Sequence, residues 1–288
     1  MLQVARLAPR LLGEASGLVI DFVRSQIHPE GGFMDRAGES DLYYTVFGLE
    51  ALAALQADIP CASIHAYLQR FGEGEALDFI HLTCLARAWA NLPAPMREDA
   101  PRSPVRSRLE ACRSADGGYN VHPGAEHGTL YACFLAWGGY QDIGADMPDA
   151  DALYNCMLSL RAEDGGYANQ VEMPLGLTPS TAAAATLIRQ MRRPPQPELA
   201  DWLMERVHED GGFYATPLAP IPDLLSTATA LHALAGMQAP LDPIKEICLD
   251  YIDTLWTNKG AFYGSWTDDL PDCEYTYYGL LALGHLSL

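Results

Sequence analysis

Four carboxylate side chains recur at equivalent positions of this sequence, each just before a stretch of small and apolar residues: Asp41, Glu126, Asp223 and Asp272. If those stretches are helices that begin at one end of a common body, the four carboxylates surround one opening. Crowded carboxylates bind a cation, or raise the pKa of one member until it becomes a general acid. The alternative is that each only caps a helix N-terminus. These four are the predicted catalytic residues.

The elements that must position these carboxylates form a repeat. A Gly-Gly-aromatic turn occurs at 31–33, 117–119, 165–167 and 211–213, and in altered form at Gly260-Ala261-Phe262. Copies from the second one onward lie 46 to 48 residues apart, whereas the first two lie 86 residues apart. Such a period is typical of repeat architectures. The double interval predicts six repeats, one of which has lost its glycines near residues 70–90.

Each repeat is predicted to contain two helices joined by the Gly-Gly-aromatic turn. The first is amphipathic, as in residues 151–161, and the second is rich in Ala, Ser and Thr, as in 180–188 and 226–235. Glycine provides the left-handed backbone that ends the first helix, and the aromatic residue can fold back onto it. Small residues suit helices that converge on an axis, so the second helices are placed on an inner ring and the first helices on an outer ring.

Six helical hairpins can close into a ring, which removes the two end faces that an open solenoid must cap. The predicted fold is therefore all-α, an (α/α)6 toroid. Proline-rich stretches at 93–95, 101–104 and 194–197 lie between repeats and are interpreted as turns. Residues 1–288 are expected to form a single domain.

Composition excludes several classes of function. The chain has 37 acidic and 18 basic residues and a net charge of −19, which disfavours nucleic-acid binding and docking on anionic membranes. Its seven cysteines are scattered without a CxxC pair, which is typical of free thiols in a reducing cytoplasm. No signal peptide or membrane span is predicted.

Two segments carry a resemblance to a known family: 41–52 (Asp-Leu-Tyr-Tyr-Thr-Val-Phe-Gly-Leu-Glu-Ala-Leu) and 272–283 (Asp-Cys-Glu-Tyr-Thr-Tyr-Tyr-Gly-Leu-Leu-Ala-Leu). Together with the Gly-Gly-aromatic turns, they resemble the repeat of protein prenyltransferase β subunits and, more distantly, of squalene and other class II terpene cyclases. The resemblance covers nearly the whole chain. It is specific for the fold and weaker for function, because one toroid hosts several chemistries.

The resemblance implies an apolar central funnel that binds an isoprenoid or another long hydrocarbon. Aromatic faces there would shield a developing carbocation and fill space, or they would simply pack between the rings. The candidate lining residues are Tyr43, Tyr44, Phe47, Tyr131, Phe134, Trp137, Trp266, Tyr275, Tyr277 and Tyr278.

The zinc site of the prenyltransferases is only partly matched. Asp223 occupies the Asp position, but Leu225 stands where the family has Cys and Tyr275 where it has His. A rearranged site for a divalent metal, zinc or magnesium, remains open, and otherwise no cofactor is expected. Its candidate ligands are Asp223, Asp272, Cys273 and His127.

Two further family features are sparse or absent. The only lysines, Lys245 and Lys259, lie outside the inner helices, so few cations are available for a diphosphate. The Asp-x-Asp-Asp run of class II cyclases is missing. Its nearest approximations are Asp149-Ala150-Asp151, at the start of an outer helix, and the acidic cluster of residues 268–274. His81, at the start of the second inner helix, adds a titratable group to the same opening, or packs as a structural histidine.

Three functions follow as hypotheses. The first is an isoprenoid-handling enzyme that performs prenyl transfer or terpene cyclisation with a carboxylate-lined mouth. The second is a non-catalytic toroid that binds a hydrophobic ligand or a protein and has lost prenyltransferase activity. The third is an enzyme on another substrate such as a glycan, with paired carboxylates. Expected partners are a hydrophobic or isoprenoid small molecule and a basic or helical protein, since prenyltransferase β subunits pair with a helical α subunit.

Overall fold

The computed structural model describes all 288 residues. In chain order the α-helices are α1 (Leu2–Ala5), α2 (Pro9–Leu12), α3 (Ser16–Ser25), α4 (Leu42–Ala54), α5 (Cys61–Gln69), α6 (Phe79–Ala90), α7 (Arg102–Ala111), α8 (Leu130–Asp142), α9 (Ala150–Ser159), α10 (Thr178–Gln190), α11 (Glu198–Met204), α12 (Leu224–Gly236), α13 (Lys245–Thr254) and α14 (Cys273–Leu286). Two antiparallel hairpins precede α4 and α12: β1 (Phe33–Met34) with β2 (Ser40–Asp41), and β3 (Phe213–Tyr214) with β4 (Pro222–Asp223). Short 3-10 segments lie at Gly13–Ala15, Ala94–Asp99 and Asp242–Ile244.

The helices form two concentric rings, which confirms the predicted α/α toroid. Helices α4, α6, α8, α10, α12 and α14 pack each on the next, and α14 packs on α4 to close the inner ring. The outer helices pack against this inner ring: α3 on α4, α5 on α6, α9 on α8 and α13 on α14. Buried small residues such as Ala182, Ala184 and Ala185 of α10 allow the close approach of inner helices.

The aromatic residue of each turn is buried between the two rings. Phe33, Tyr167 and Phe213 are fully buried, and the backbone N–H of each donates a 2.9 Å hydrogen bond to a threonine hydroxyl in the first turn of the following inner helix. In the third repeat, the Tyr119 N–H donates instead to the sulfur of Cys133 at 3.3 Å. These bonds pair buried backbone donors that would otherwise be left without partners.

The turns need glycine for two reasons. Gly212 has φ +75°, and a Cβ there would lie 2.7 Å from the ring of Tyr251. A side chain would therefore be strained in both its backbone and its packing. The second repeat was predicted to have lost its glycines, but Gly72 and Gly74 remain there in the left-handed region, at φ +52° and +81°. Only the aromatic residue and the strict Gly-Gly spacing are lost.

The N-termini of the inner helices lie together at one end of the ring, which we call the rim. Backbone hydrogen bonds of 2.8 Å join the first residue of an inner helix to the loop of the next repeat, from Leu130 N to Asn169 O and from Leu224 N to Gly264 O. At the opposite end, α1 packs across α14 and α4, and Arg87 of α6 bonds Glu50 and Asp142. No helix of the protein is both long and apolar enough to span a membrane.

Candidate active site

Four aspartates cap inner helices at the rim. The Oδ1 atoms of Asp41, Asp78, Asp223 and Asp272 accept hydrogen bonds of 2.7 to 3.0 Å from the backbone N–H three residues later. This is the geometry of an N-cap, which satisfies a donor that the helix leaves free. Three of the predicted carboxylates, Asp41, Asp223 and Asp272, are therefore brought to one end of the ring, and their capping bonds account for their positions.

Glu126, the fourth predicted carboxylate, does not cap a helix. Thr129 caps α8 instead, through a 3.2 Å bond from Ala132 N to its hydroxyl. Both Glu126 and His127 are exposed in the preceding loop, where His127 Nδ1 lies 3.6 Å from Asp116. The sequence alignment of the repeats placed the helix start three residues too early here, because the Gly128-Thr129 pair takes the place of an acidic cap.

The four predicted metal ligands are not gathered into one site. Cys273 is fully buried, and its burial raises the pKa of its thiol. Asp272 is bonded to Arg36, Asp223 to Ser226, and His127 faces Asp116. No group of three or more His, Cys, Asp and Glu side chains in the protein is placed to hold a metal ion. The resemblance places Leu225 and Tyr275 at two positions of the prenyltransferase zinc site, and neither side chain offers a thiolate or an imidazole.

Two basic side chains contact the capping aspartates, and each lies between two carboxylates. Arg36, in the loop of the β1–β2 hairpin, donates from Nε to Asp272 at 2.7 Å and from Nη2 to Asp268 at 2.8 Å. His81 places Nε2 3.2 Å from Asp41 and Nδ1 2.9 Å from Asp78. The bond to Asp41, followed by that to Asp78, raises the pKa of His81 to about 9 against the opposing effect of burial, so its imidazole is charged at neutral pH. Each cation is thus outnumbered by its carboxylate partners.

Glu274, in the first turn of α14, is the carboxyl group best suited to act as an acid. Its Oε1 accepts a 2.6 Å hydrogen bond from the hydroxyl of Tyr43 on α4. Burial, helped by the nearby charge of Asp272, raises the pKa of Glu274 from 4.5 to about 7, although Tyr43 and Arg36 act in the opposite direction. Near neutral pH the protonated and ionised forms of Glu274 are therefore both populated, and its side chain remains partly accessible.

Glu274 is surrounded by tyrosines from three inner helices. Burial is the main cause that raises the pKa of Tyr44, Tyr131 and Tyr275 to about 12, and the Glu274 carboxylate contributes to each. The same two causes raise the pKa of Tyr43 and Tyr278. The Glu274 carboxyl group is thus surrounded by neutral phenols and aromatic rings.

The aromatic residues beside Glu274 form one contiguous group, which we call the α4–α14 aromatic cluster: Tyr43, Tyr44, Phe47, Tyr277 and Tyr278. Its ring centroids lie 5.0 to 6.3 Å apart in edge and tilted arrangements, the separations that favour aromatic contacts. Tyr43, Tyr44, Phe47 and Tyr278 keep partial exposure, as do Tyr131, Phe134, Trp137 and Tyr275, whereas Tyr277 is fully buried.

Trp266 does not belong to this group. It lies in the loop before α14, where its ring contacts His208 and Tyr251, and its Nε1 donates to Thr254 of the outer helix α13 at 2.8 Å. Trp266 therefore does not lie at the start of an inner helix, where the sequence analysis expects it, because the loop turns the indole toward the outer ring. Sequence reasoning also missed Glu274 as a catalytic candidate, since only the acidic cluster at 268–274 was visible and not its pairing with Tyr43.

Comparison with curated protein sequences finds no match. Among solved structures, the chain resembles a type II terpene cyclase from Scytonema in complex with geranylgeranyl dihydroxybenzoate, with 12% identity and a TM-score of 0.65 over 97% of each chain. It also resembles Candida albicans protein geranylgeranyltransferase-I complexed with GGPP, with 15% identity and a TM-score of 0.59 over 99% of this chain and 81% of the other. A D-mannose isomerase matches with 14% identity and a TM-score of 0.65 over 96% and 98%.

At these identities the structural likeness shows the fold alone. The sequence itself matches the prenyltransferase alpha-alpha toroid domain over residues 16–85, 83–175 and 176–287, which together cover most of the chain. This protein therefore belongs to the prenyltransferase alpha-alpha toroid domain family.

Proposed function

We propose that this protein is an isoprenoid-handling enzyme of the terpene-cyclase kind, in which Glu274 donates the proton that starts the reaction. The observation that carries this proposal is a carboxyl group hydrogen-bonded to Tyr43 and placed beside the α4–α14 aromatic cluster. A general acid must hold its proton near the working pH, and the raised pKa of Glu274, about 7, meets that condition.

The step conserves atoms and charge. The π electrons of a terminal carbon–carbon double bond take the Glu274 proton, which forms a C–H bond and leaves a carbocation on the neighbouring carbon and a carboxylate on Glu274. A second double bond of the same chain attacks the cation and closes a ring. Loss of a proton from the last cation to solvent water ends the reaction, and Glu274 regains a proton from solvent. The product is an isomer of the substrate.

The aromatic cluster supports the later part of this sequence. Ring faces attract a cation through their quadrupole, and phenols with raised pKa values remain neutral and do not capture the cation as phenolates. Tyr44, Phe47, Tyr131, Trp137, Tyr275 and Tyr278 are the residues proposed to contact the hydrocarbon. Asp41, Asp223 and Asp272 are proposed to position the inner helices that carry these residues.

Deuterium labelling tests the reaction. The full-length protein is incubated in D2O with uncharged polyprenyl compounds such as farnesol, geranylgeraniol and squalene, and products are analysed by mass spectrometry. The expected product is a cyclic isomer that carries one solvent deuterium. Glu274→Gln should lower turnover by about 10²- to 10⁴-fold, the usual cost of losing a general acid. The control is Glu209→Gln, an exposed carboxyl before the fourth Gly-Gly turn. Equal turnover in both variants contradicts the proposal.

A second candidate is the non-catalytic toroid that binds a hydrophobic ligand. It is supported by what the resemblance implies: Leu225 and Tyr275 would stand where prenyl transfer needs zinc ligands. Binding of polyprenyl compounds with no product at any pH would support this candidate over the first. Transfer of a prenyl group from added farnesyl diphosphate to a thiol, with release of diphosphate and no deuterium incorporated, would instead indicate prenyl transfer.

A further inference from the structure

The rim contains far more acidic than basic groups. The segments that lead into the inner helices, residues 34–41, 72–78, 120–129, 168–177, 214–223 and 263–274, contain thirteen Asp and Glu residues, and Arg36 is their only Lys or Arg. A protein that binds a diphosphate needs unpaired cations or a bound metal at that opening. These segments instead contain many carboxylates and a single Arg.

Two basic groups at the rim, Arg36 and His81, are already paired with carboxylates. Arg36 is bonded to both Asp268 and Asp272, and the latter side chain is only 4% exposed. His81 lies between Asp41 and Asp78. Each of these groups of three carries a net charge of −1 when the imidazole is protonated. An incoming phosphate would have to displace a carboxylate from a bond that is already made and would leave that carboxylate unpaired.

The N-termini of five of the six inner helices do not offer an anion site at the rim either. Free N–H groups at a helix start attract phosphates. Here, however, the carboxylates of Asp41, Asp78, Asp223 and Asp272 already occupy those positions in four of the inner helices. In α8, the N–H groups of Leu130 and Tyr131 are bonded to the backbone and side-chain oxygens of Asn169.

We propose that the rim selects isoprenoids with an uncharged head group, such as a hydrocarbon, alcohol or epoxide, and rejects isoprenoid diphosphates. This inference rests on the proposed function, because it assigns the substrate class of the same opening. The rejection is electrostatic, through the acidic rim and through the neutralisation of Arg36 and His81. Removing the two carboxylates that hold Arg36 is therefore expected to weaken the rejection.

The test compares two probes that share one hydrocarbon chain, farnesol and farnesyl diphosphate, by quenching of the intrinsic Tyr and Trp fluorescence of the full-length protein. We expect at least tenfold tighter binding of farnesol at low salt, and a smaller ratio in 0.5 M NaCl because salt screens exposed charges. Titrations are run with EDTA and with Mg²⁺. Equal affinities in EDTA, or tight farnesyl diphosphate binding restored by Mg²⁺, would overturn the inference.

The paired substitution Asp268→Asn with Asp272→Asn tests the cause, since Asn keeps the capping bond while Arg36 becomes unpaired. It should raise the affinity for farnesyl diphosphate, relative to that for farnesol, at least fivefold. The matched control is Asp250→Asn with Asp253→Asn, which removes two exposed charges from α13. An equal gain in the control contradicts a specific role of Arg36. The deuterium experiment with uncharged substrates is independent of these outcomes, so either proposal can fail alone.

Discussion

The hydroxyl of Tyr43 donates a 2.6 Å hydrogen bond to Glu274, and this bond joins the first inner helix to the last, across 231 positions of sequence. The seam where the ring closes is therefore also the place where the candidate acid is held. Arg36 crosses the same seam to reach Asp272. The contacts that close the toroid are therefore also the contacts that position the candidate site.

Tyr43→Phe is expected to shift the pH dependence of turnover. The Tyr43 hydroxyl bonds the charged form of Glu274 more strongly than the neutral form, so its loss raises the pKa of the carboxyl group. The reaction needs protonated Glu274, and the rate of the wild type should fall as pH rises through about 7. In the variant this fall should begin at higher pH. Infrared measurement of the Glu274 carboxyl band, with Glu274→Gln as reference, checks the same shift without substrate. An unchanged midpoint would contradict the role given to Tyr43.

Glu274→Gln is expected to stabilise the protein in alkaline solution. The folded state raises the pKa of Glu274 from 4.5 to about 7, so the favourable contribution of this group is present below pH 4.5 and is lost as pH rises through 7. Glutamine is neutral throughout and can still accept the Tyr43 bond. Relative to the wild type, the variant should gain about 1–3 kcal/mol between pH 4.5 and pH 8. Chemical denaturation at both pH values measures this difference. A constant difference would show that Glu274 ionises freely in the folded protein.

The fold could be predicted from the sequence because its signals are local. The Gly-Gly-aromatic turns and the small-residue helices lie within single repeats, and Asp41, Asp223 and Asp272 precede helices as N-caps. The contacts of the candidate site are not local. Arg36 and Asp272 are 236 residues apart. Tyr43 stands beside another tyrosine and Glu274 in an acidic cluster, so nothing in the sequence marks these two residues as partners. Trp266 and Glu126 were misplaced because a loop can turn a side chain outward or delay a helix start without changing the repeat period.

Substitutions of Asp223 distinguish a capping role of this residue from a catalytic role. Its carboxylate accepts bonds from both the N–H and the hydroxyl of Ser226. Asn is also a good N-cap. If Asp223 only caps the helix, Asp223→Asn should therefore leave the unfolding equilibrium constant and the turnover within about twofold of the wild-type values. Asp223→Ala should lose about 1 kcal/mol of unfolding free energy. Guanidinium denaturation and the deuterium assay measure the two effects. Loss of turnover in a stable Asp223→Asn variant would restore Asp223 as a catalytic residue. Glu126→Gln should change neither quantity, because Glu126 is exposed in a loop.

Arg36→Gln is expected to weaken the seam of the ring. Substitution leaves the buried Asp272 without its charged partner, which costs about 1–3 kcal/mol, less than for a fully buried pair because the side chain of Arg36 is 35% exposed. The control is Arg70→Gln, whose pair with Glu30 is 54% and 71% exposed and should contribute under about 1 kcal/mol. Adding Asp272→Asn to Arg36→Gln should recover part of the loss, because the unpaired charge is then removed while the cap remains. Denaturation of the two single variants and the double variant measures this coupling. Additive losses would mean that Arg36 and Asp272 do not stabilise each other, and the seam would then depend on the packing of α14 on α4 alone.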